Sequence, residues 1–441
     1  MPGMIGARGA AGLAIVAQFK SAVLAEGTFL FLIFVLLAIY WTACREVLLA
    51  RASAWLAAQR GRWPQEPAWR RVLRIGFGVL WIIDGLLQAQ PLMPVGLPSQ
   101  VIGPAAAGSE AWVVHLVTWG TQPWLSHPAQ AAVSVIWIQT GIGIWLVWGS
   151  SPRWSRLAGL ASAGWGLVVW VVGEAFGSMF APGVSWLTGA PGAAIFYVTA
   201  GGLLALPPRY WRDPRLGTWL LRACGALLLG FAVLQAWPGR GSWQGTVPGP
   251  AGSARPGPLP ANISSMAAAS QPSVLHDLLI WFASVVARHG FAVNLVVVVV
   301  LAAAGAGLLT ARPAIARPAA GGLFVLCLAT WVLVQDCGVF GGTGTDPNSM
   351  LPQLLVIIAG LLAAAPDVPL ANATSPAVPD PGTEPEPLPG RGRTPLRPWH
   401  AARRLGRAFG TASASAVLAV WAVAMVLMGV VPMAMAAIAR A

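Results

Sequence analysis

Charged residues are scarce in this sequence, in which Asp, Glu, Lys and Arg make up only 9% of 441 residues while 56% are hydrophobic. A soluble domain normally has about 25% charged residues, so this composition excludes a water-soluble chain. Lysine is almost missing, Lys20 being the only one, and the net charge of +13 therefore comes from arginine. Most arginines lie between apolar runs, which indicates the lipid bilayer rather than nucleic acid as their partner.

Cysteine is also rare, and its spacing excludes two common uses. The four cysteines are scattered through or beside apolar runs, and no pair has the Cys-x-x-Cys spacing of a zinc ribbon or a redox site. We therefore read them as small buried hydrophobic side chains. They are Cys44, Cys224, Cys327 and Cys337.

Long apolar runs dominate what remains, and they predict an all-α polytopic integral membrane protein with about ten transmembrane helices. A helix of roughly 20 apolar residues crosses the hydrocarbon and satisfies its own backbone hydrogen bonds there. The predicted spans lie near residues 28–42, 75–93, 129–148, 157–176, 191–206, 223–237, 291–309, 321–340, 351–365 and 413–432.

Several anchors recur in the same order and predict an internal duplication. Residues 73–207 form a four-span unit, and residues 208–366 read as a degenerate second copy of it. Because each copy has an even number of spans, the two are parallel repeats in a 1+4+4+1 arrangement. The paired anchors are Arg74 with Arg222, Gln88 with Gln235, Trp170 with Trp331, Gly177 with Gly338, and the turns that begin at Thr188 and Thr343.

The remaining segments flank these copies. Residues 1–72 are predicted to hold an N-terminal arm, the first span and a basic loop, the arm being either an interfacial segment or a cleaved signal peptide. Residues 239–271 and 367–412 read as disordered linkers, and 413–441 as the last span. The arginine-rich loops predict a bacterial cytoplasmic membrane protein with both termini on the extracytoplasmic side.

Asp84 is the most informative single residue, because it lies in the middle of the second predicted span. A carboxylate at the centre of a bilayer costs about 2.5 to 3.5 kcal/mol, so it should face a partner or a cavity, or hold a proton. Two roles stay open for it. It is either a proton or ligand site within the membrane, or a neutral acid bonded to a neighbouring helix.

A second set of polar residues falls on the predicted outer side. His127 precedes Glu174 by the same number of residues as His289 precedes Asp336. Imidazole and carboxylate groups suit a metal, and the same groups relay protons near a quinone. The alternative is that these side chains cap helix ends and meet water. The residues of this outer set are His115, His127, Glu174, His276, His289 and Asp336.

The start of each predicted repeat resembles a known family. The stretch Arg74-Ile75-Gly76-Phe77-Gly78-Val79-Leu80-Trp81, followed by Asp84-Gly85, is similar to the first helix of DoxX-like membrane proteins. The resemblance implies a four-helix bundle in each copy and an association with quinone-linked redox or thiol chemistry. This chain has no cysteine pair for the thiol chemistry.

These observations favour an accessory or redox-associated membrane subunit that binds a metal or a quinone and works with other membrane proteins. One alternative is a proton-coupled or small-solute transporter with its path at the repeat interface and Asp84 as its proton or ion site. The other is a structural or assembly protein whose polar residues hold helices together. Whether the protein is an enzyme stays open.

Overall fold

The computed structural model describes residues 9–59, 66–181, 183–249, 253–365 and 418–433, with the backbone alone for 44–59. The first half is helical almost throughout, with short connections. The helices are α1 (Ala10–Gln59), α2 (Ala68–Gln88), α3 (Met93–Ala106), α4 (Ala111–Ser126), α5 (Pro128–Trp148), α6 (Pro152–Gly173) and α7 (Ala194–Ala205). A turn of π-helix lies within α3 and another ends α6.

The second half and the last helix complete the chain. The helices are α8 (Pro214–Ala236), α9 (Pro258–Ala267), α10 (Ser273–Thr310), α11 (Pro313–Leu333), α12 (Met350–Ala364) and α13 (Leu418–Met433). Strand β1 (Thr246–Pro248) pairs antiparallel with β2 (Ala254–Pro256). Helix α10 is one 38-residue helix with a kink at His289, where φ is −124° and ψ is 32°.

Among the described residues, six helices are long and apolar enough to cross a membrane, or seven if α2 and α3, which meet at 92°, form one broken span. Helices α7, α12 and α13 are apolar but shorter. Helix α7 begins at Ala194 and not at the predicted residue 191. Gly189 and Gly192 before it have φ of 113° and 98°, which helical residues do not adopt. The structure therefore supports a multi-pass membrane protein with six to seven full-length candidate spans.

Two predictions about connecting segments are wrong. The arm before the first span and the loop after it are not separate from that span, since α1 is continuous from Ala10 to Gln59. No glycine or proline lies between Thr28 and Gln59 to end the helix. The predicted disordered linker at 239–271 instead holds the hairpin and α9, whose Ile263 and Ala267 are fully buried. The predicted linker at 367–412 lies outside the described residues.

Helix α2 is the centre of the first half. One face carries Leu73, Phe77, Trp81, Asp84 and Gln88 at helical spacing, and all five are buried. The neighbouring stripe of α2, which contains Gly78 and Gly85, packs on α5 at a close crossing with Gly143. A Cβ at Gly143 would lie only 2.6 Å from the Gly78 carbonyl oxygen. In the second half α8 and α10 cross in the same way, and a Cβ at Gly225 would lie 2.6 Å from the Gly305 carbonyl oxygen.

The N-terminal end of α2 is held by arginines that reach the C-terminal ends of neighbouring helices. Arg70 donates to the Leu204 carbonyl oxygen at 2.7 Å, and Arg74 donates to the Leu146 carbonyl oxygen at 2.8 Å. Arg74 also forms an ion pair with Glu66 at 3.0 Å. A cation at the C-terminal end of a helix is favourable because the exposed carbonyl groups carry partial negative charge there. This end of the bundle is therefore fixed by charge.

The two halves share one hydrophobic core, and polar contacts also join them. Trp186 donates to Gln353 Oε1 at 3.0 Å, and Gln335 Nε2 donates to the Leu187 carbonyl oxygen at 3.2 Å. At the opposite end of α2 from the arginines, Gln90 Nε2 donates to the Gly344 carbonyl oxygen at 3.1 Å. This last contact sets the loop before α12 against the first half.

Candidate functional site

A cavity of about 150 Å³ lies among the helices of the first half, at the C-terminal part of α2. Helices α3 to α7 form most of its wall, and the loop before α12 closes one side. Most of the wall is apolar, with tryptophan and valine prominent. The polar or aromatic side chains that line it are Trp81, Asp84, Gln88, Thr121, Trp124, Gln139, Trp165, Glu174, Tyr197, Thr345 and Asp346.

Asp84 reaches this cavity from the buried face of α2. Only 2% of its surface is exposed, and its Oδ1 atom has no hydrogen-bond partner among the described residues. Tyr197 of α7 faces Asp84 closely enough to act as a hydrogen-bonding neighbour, although neither Asp84 Oδ1 nor the Tyr197 hydroxyl has a partner within full hydrogen-bond geometry in the described part of the chain. Aromatic contacts position the tyrosine, whose ring centroid is 4.5 Å from that of Trp81. Asp84 is therefore buried beside one hydroxyl group, and its Oδ1 atom lacks the hydrogen bond that most buried polar atoms have.

Glu174 lies just beyond the end of α6 and holds the start of α7. Its Oε1 atom accepts hydrogen bonds from the backbone N–H groups of Ala193 and Ala194, each at 3.0 Å. Gly192 is required beside it, since a Cβ there would lie 2.1 Å from Glu174 Oε2. Burial raises the pKa of Glu174 well above its usual range, and the nearby charge of Asp346 raises it further, while the backbone hydrogen bonds lower it. Glu174 is thus both a helix cap and a member of the cavity.

Asp346 comes to the cavity from the second half of the chain. Its Oδ1 atom accepts from the Asn348 backbone N–H at 2.7 Å, and its Oδ2 atom accepts from the Thr345 hydroxyl at 2.8 Å. Burial raises the pKa of Asp346, while these two hydrogen bonds lower it. Three carboxyl groups from separate segments therefore surround one small volume.

Unpaired polar atoms cluster around this volume. More than nine in ten buried polar groups in proteins have a hydrogen-bond partner, so such a cluster is informative. Most of these atoms can accept a hydrogen bond, and Trp165 Nε1 can only donate one. The buried atoms of the wall that have no partner among the described residues are Asp84 Oδ1, Gln88 Oε1, Gln139 Oε1, Tyr197 OH and Trp165 Nε1.

The charge of the wall has one sign only. None of the described residues that line the cavity is Lys, Arg or His, whereas the acids Asp84, Glu174 and Asp346 all line it. An unpaired acid in an apolar setting either keeps its proton or attracts a cation. The arrangement can therefore exchange a proton for another positively charged or hydrogen-donating group.

The crossing of α8 and α10 in the second half has a ring and paired polar groups instead. Phe231 follows Gly225 of this crossing at the same interval at which Asp84 follows Gly78. Gln235 donates to Asn294 Oδ1 at 2.7 Å and accepts from the Ser185 hydroxyl at 3.0 Å. The Gln235 side chain is therefore paired, whereas Gln88 Oε1 near Asp84 is not.

The outer residues predicted from the sequence are separated from one another. Of this set, only Glu174 lines the cavity. The side chains of His115, His127, His276 and His289 are exposed, and His276 Nδ1 lies 2.8 Å from the Ala267 carbonyl oxygen. Asp336 is buried at the end of α11, away from the cavity wall. Within the described ranges, no three His, Cys, Asp or Glu side chains form a group that could hold a metal ion.

Three contributors to the cavity carried no clear signal in the sequence. Tyr197 and Gln139 are single polar residues within apolar helices, and Asp346 belongs to a glycine-rich turn far along the chain. For Tyr197 the one available signal was the rarity of its residue type, because the chain has only three tyrosines. Only the packing of the helices brings them to Asp84.

Comparisons with protein-family models, with characterised proteins and with solved structures find no match for this chain. The resemblance of residues 74–81 and 84–85 to DoxX-like proteins therefore stays a prediction from the sequence.

Proposed function

We propose that this protein binds a small solute in the acidic cavity and moves it across the membrane in exchange for protons. One observation carries the proposal, namely the buried, unpaired oxygen of Asp84 facing a cavity whose wall holds further unpaired polar atoms. A carboxyl group within a membrane is costly, and such groups generally belong to ion or proton pathways. Asp84 would alternate between a protonated state and a solute-bound state.

The proposal includes the finer architecture. Counting the short helices α7, α12 and α13 with the longer ones gives ten spans in a 1+4+4+1 order, with two parallel repeats. The matching glycine crossings of α2 with α5 and of α8 with α10 support the duplication. The cavity would then lie entirely within repeat one, apart from the loop that contributes Asp346 and the end of α13.

The orientation follows from the distribution of arginine. Arg70 and Arg74 lie at one end of α2, and the cavity lies towards the other, where residues 91–128 contain no Arg or Lys. By the positive-inside rule the cavity faces the extracytoplasmic side of a bacterial cytoplasmic membrane. Solute would enter there.

The two other roles expected from the sequence have less support. A redox-associated subunit needs the outer histidines and acids to converge, and the described ones do not. A structural role needs the polar side chains to bond one another, as Gln235 and Asn294 do in the second half. Asp84 has no such bond from Oδ1 within the described chain.

The test is proton movement in proteoliposomes that enclose a pH-sensitive dye, because exchange of one cation for one proton moves no net charge. A panel of small cations, anions, zwitterions and neutral solutes is applied with and without a pH gradient. We expect one class to change the internal pH, and Asp84→Asn to abolish that change. The matched control is Asp277→Asn, which changes an exposed acid of α10 outside the cavity and should leave the pH change intact. No pH change with any class from folded, correctly inserted protein would contradict the proposal.

A further inference from the structure

The wall of the cavity also indicates which class of solute it accepts, an inference that rests on the proposed function. We propose that the cavity binds a small organic ammonium ion, with the nitrogen beside Asp84 and the carbon skeleton against the apolar wall. The argument uses the charge of the wall, the direction of its unpaired hydrogen-bonding groups, its aromatic rings and its volume.

Charge and hydrogen bonding favour a cationic donor. An anion would meet three carboxyl groups and, among the described wall residues, no Lys, Arg or His. Three of the five unpaired wall atoms, Asp84 Oδ1, Gln88 Oε1 and Gln139 Oε1, accept hydrogen bonds, and their side chains are each 4% exposed or less. The Tyr197 hydroxyl can accept or donate, and Trp165 Nε1 is the one atom of the five that only donates. A primary ammonium group has three N–H donors, which matches this set.

The aromatic residues favour an organic cation over an inorganic one. Trp81, Trp124 and Tyr197 line the same volume, and ring faces attract cations held within about 6 Å of the centroid. The indole N–H groups of Trp81 and Trp124 are already bonded, to the Ser162 hydroxyl at 2.9 Å and to the Pro94 carbonyl oxygen at 3.2 Å. These two indoles therefore offer the cavity their rings rather than a donor.

Volume and apolar lining set the size of the solute. A cavity of about 150 Å³ is comparable with an engineered protein cavity of ~150 Å³ that binds benzene. Val135, Val168, Val169 and Val172 supply an apolar part of the wall. The solute should therefore have a ring or short chain of about six carbon atoms next to its nitrogen.

Binding is expected to release one proton. The neutral Asp84 carboxyl group gives its proton to solvent, and the resulting carboxylate pairs with the incoming ammonium, so the cavity gains no net charge. The titratable groups that line the wall with Asp84 are Glu174, Asp346 and Tyr197. Since proton and cation compete for one carboxyl group, affinity should increase as the pH rises.

The experiment compares three probes of matched shape, cyclohexylammonium, cyclohexanol and cyclohexanecarboxylate, by calorimetry on the detergent-solubilised full chain. We expect cyclohexylammonium to be the one probe of the three that binds. The binding enthalpy, measured in buffers of different ionisation enthalpy, should show that a proton is released. Asp84→Asn should weaken its binding at least about tenfold, or about 1.4 kcal/mol. Asp277→Asn should not change it.

A second variant keeps the test independent of misfolding. Glu174→Gln keeps a side-chain oxygen for the Ala193 and Ala194 N–H groups but removes the charge, so α7 keeps its cap while binding weakens. Equal or tighter binding of cyclohexanol or the carboxylate, or no binding of cyclohexylammonium, would overturn the inference. An Asp84-dependent proton movement driven by a neutral or anionic solute would overturn this inference while leaving the proposed function standing.

Discussion

Replacing Asp84 by leucine should stabilise the protein while removing its activity. The carboxyl group is 2% exposed, and its Oδ1 atom has no partner among the described residues. A buried polar group without a hydrogen bond costs about 1 to 3 kcal/mol, and leucine removes that cost. The adjoining cavity leaves room for the larger side chain. We therefore expect the free energy of unfolding to rise by about 1 to 3 kcal/mol.

The second half of the chain provides the matched comparison. Gln235→Leu deletes a side chain that bonds both Asn294 and Ser185, at 2.7 and 3.0 Å. Those two partners stay buried or half-buried without their bonds, so stability should fall by about 1 to 3 kcal/mol. The two substitutions at polar positions of α2 and α8 thus have opposite signs.

Reversible unfolding in mixed micelles, titrated with sodium dodecyl sulfate and followed by tryptophan fluorescence, measures both changes. Folded inactive protein with a higher unfolding midpoint is the result expected for Asp84→Leu. A loss of stability similar to that of Gln235→Leu would refute the reasoning, because Asp84 would then hold helices together.

Three further predictions concern other parts of the fold. Gly143→Ala should lower the thermal midpoint in detergent, at a cost of about 1 to 3 kcal/mol, because its Cβ would lie 2.6 Å from a carbonyl oxygen of α2. Gly230→Ala, with no atom within 4 Å of the added Cβ, should gain up to about 1 kcal/mol in the same assay, and equal effects would contradict the close crossing. Glu174→Ala should reduce thermal stability through loss of the α7 cap, whereas Glu174→Gln should not; a loss in both would mean that the charge itself stabilises. Burial raises the pKa of Asp336 from 3.8 to about 6, so the folded state loses stability as pH rises across that interval. The free energy of unfolding of Asp336→Asn should therefore exceed that of the unchanged protein by roughly 1 to 3 kcal/mol above pH 6, and should equal it below pH 4. Parallel pH curves for the two proteins would refute this last prediction.

The helices and the main acid could be predicted from the sequence. Apolar runs place a helix at every predicted span, because the bilayer demands length and internal hydrogen bonding. Asp84 stood out because a single carboxylate in an apolar run is costly. Local pattern is sufficient for both. The pattern could not predict the full extent of α1, which continues into polar sequence that lacks a helix breaker.

The partners of Asp84 could not be predicted, since they depend on how helices cross. Gln139 reaches the cavity because the glycines at 78 and 143 let α2 and α5 approach closely. Asp346 reaches it because Gln90 holds the neighbouring loop through the Gly344 carbonyl oxygen. Neither contact has a short-range signature in the chain.

The outer histidines show the opposite case. Equal separations in sequence suggested that His127 and His289 form comparable sites with Glu174 and Asp336. Both histidines are exposed, and His289 instead lies at the kink of α10. Separation along a chain does not determine distance in space when helices and turns lie between the two residues.

The most direct measurement is labelling by a hydrophobic carbodiimide, which reacts with protonated carboxyl groups in apolar surroundings. The protein is treated in its membrane near neutral pH, and the modified residues are located by peptide mass spectrometry. We expect an adduct at Asp84 that cyclohexylammonium suppresses, with little reaction at the exposed Asp277. An unmodified Asp84, or labelling that no solute in the panel reduces, would contradict a protonated and accessible acid at the centre of the site.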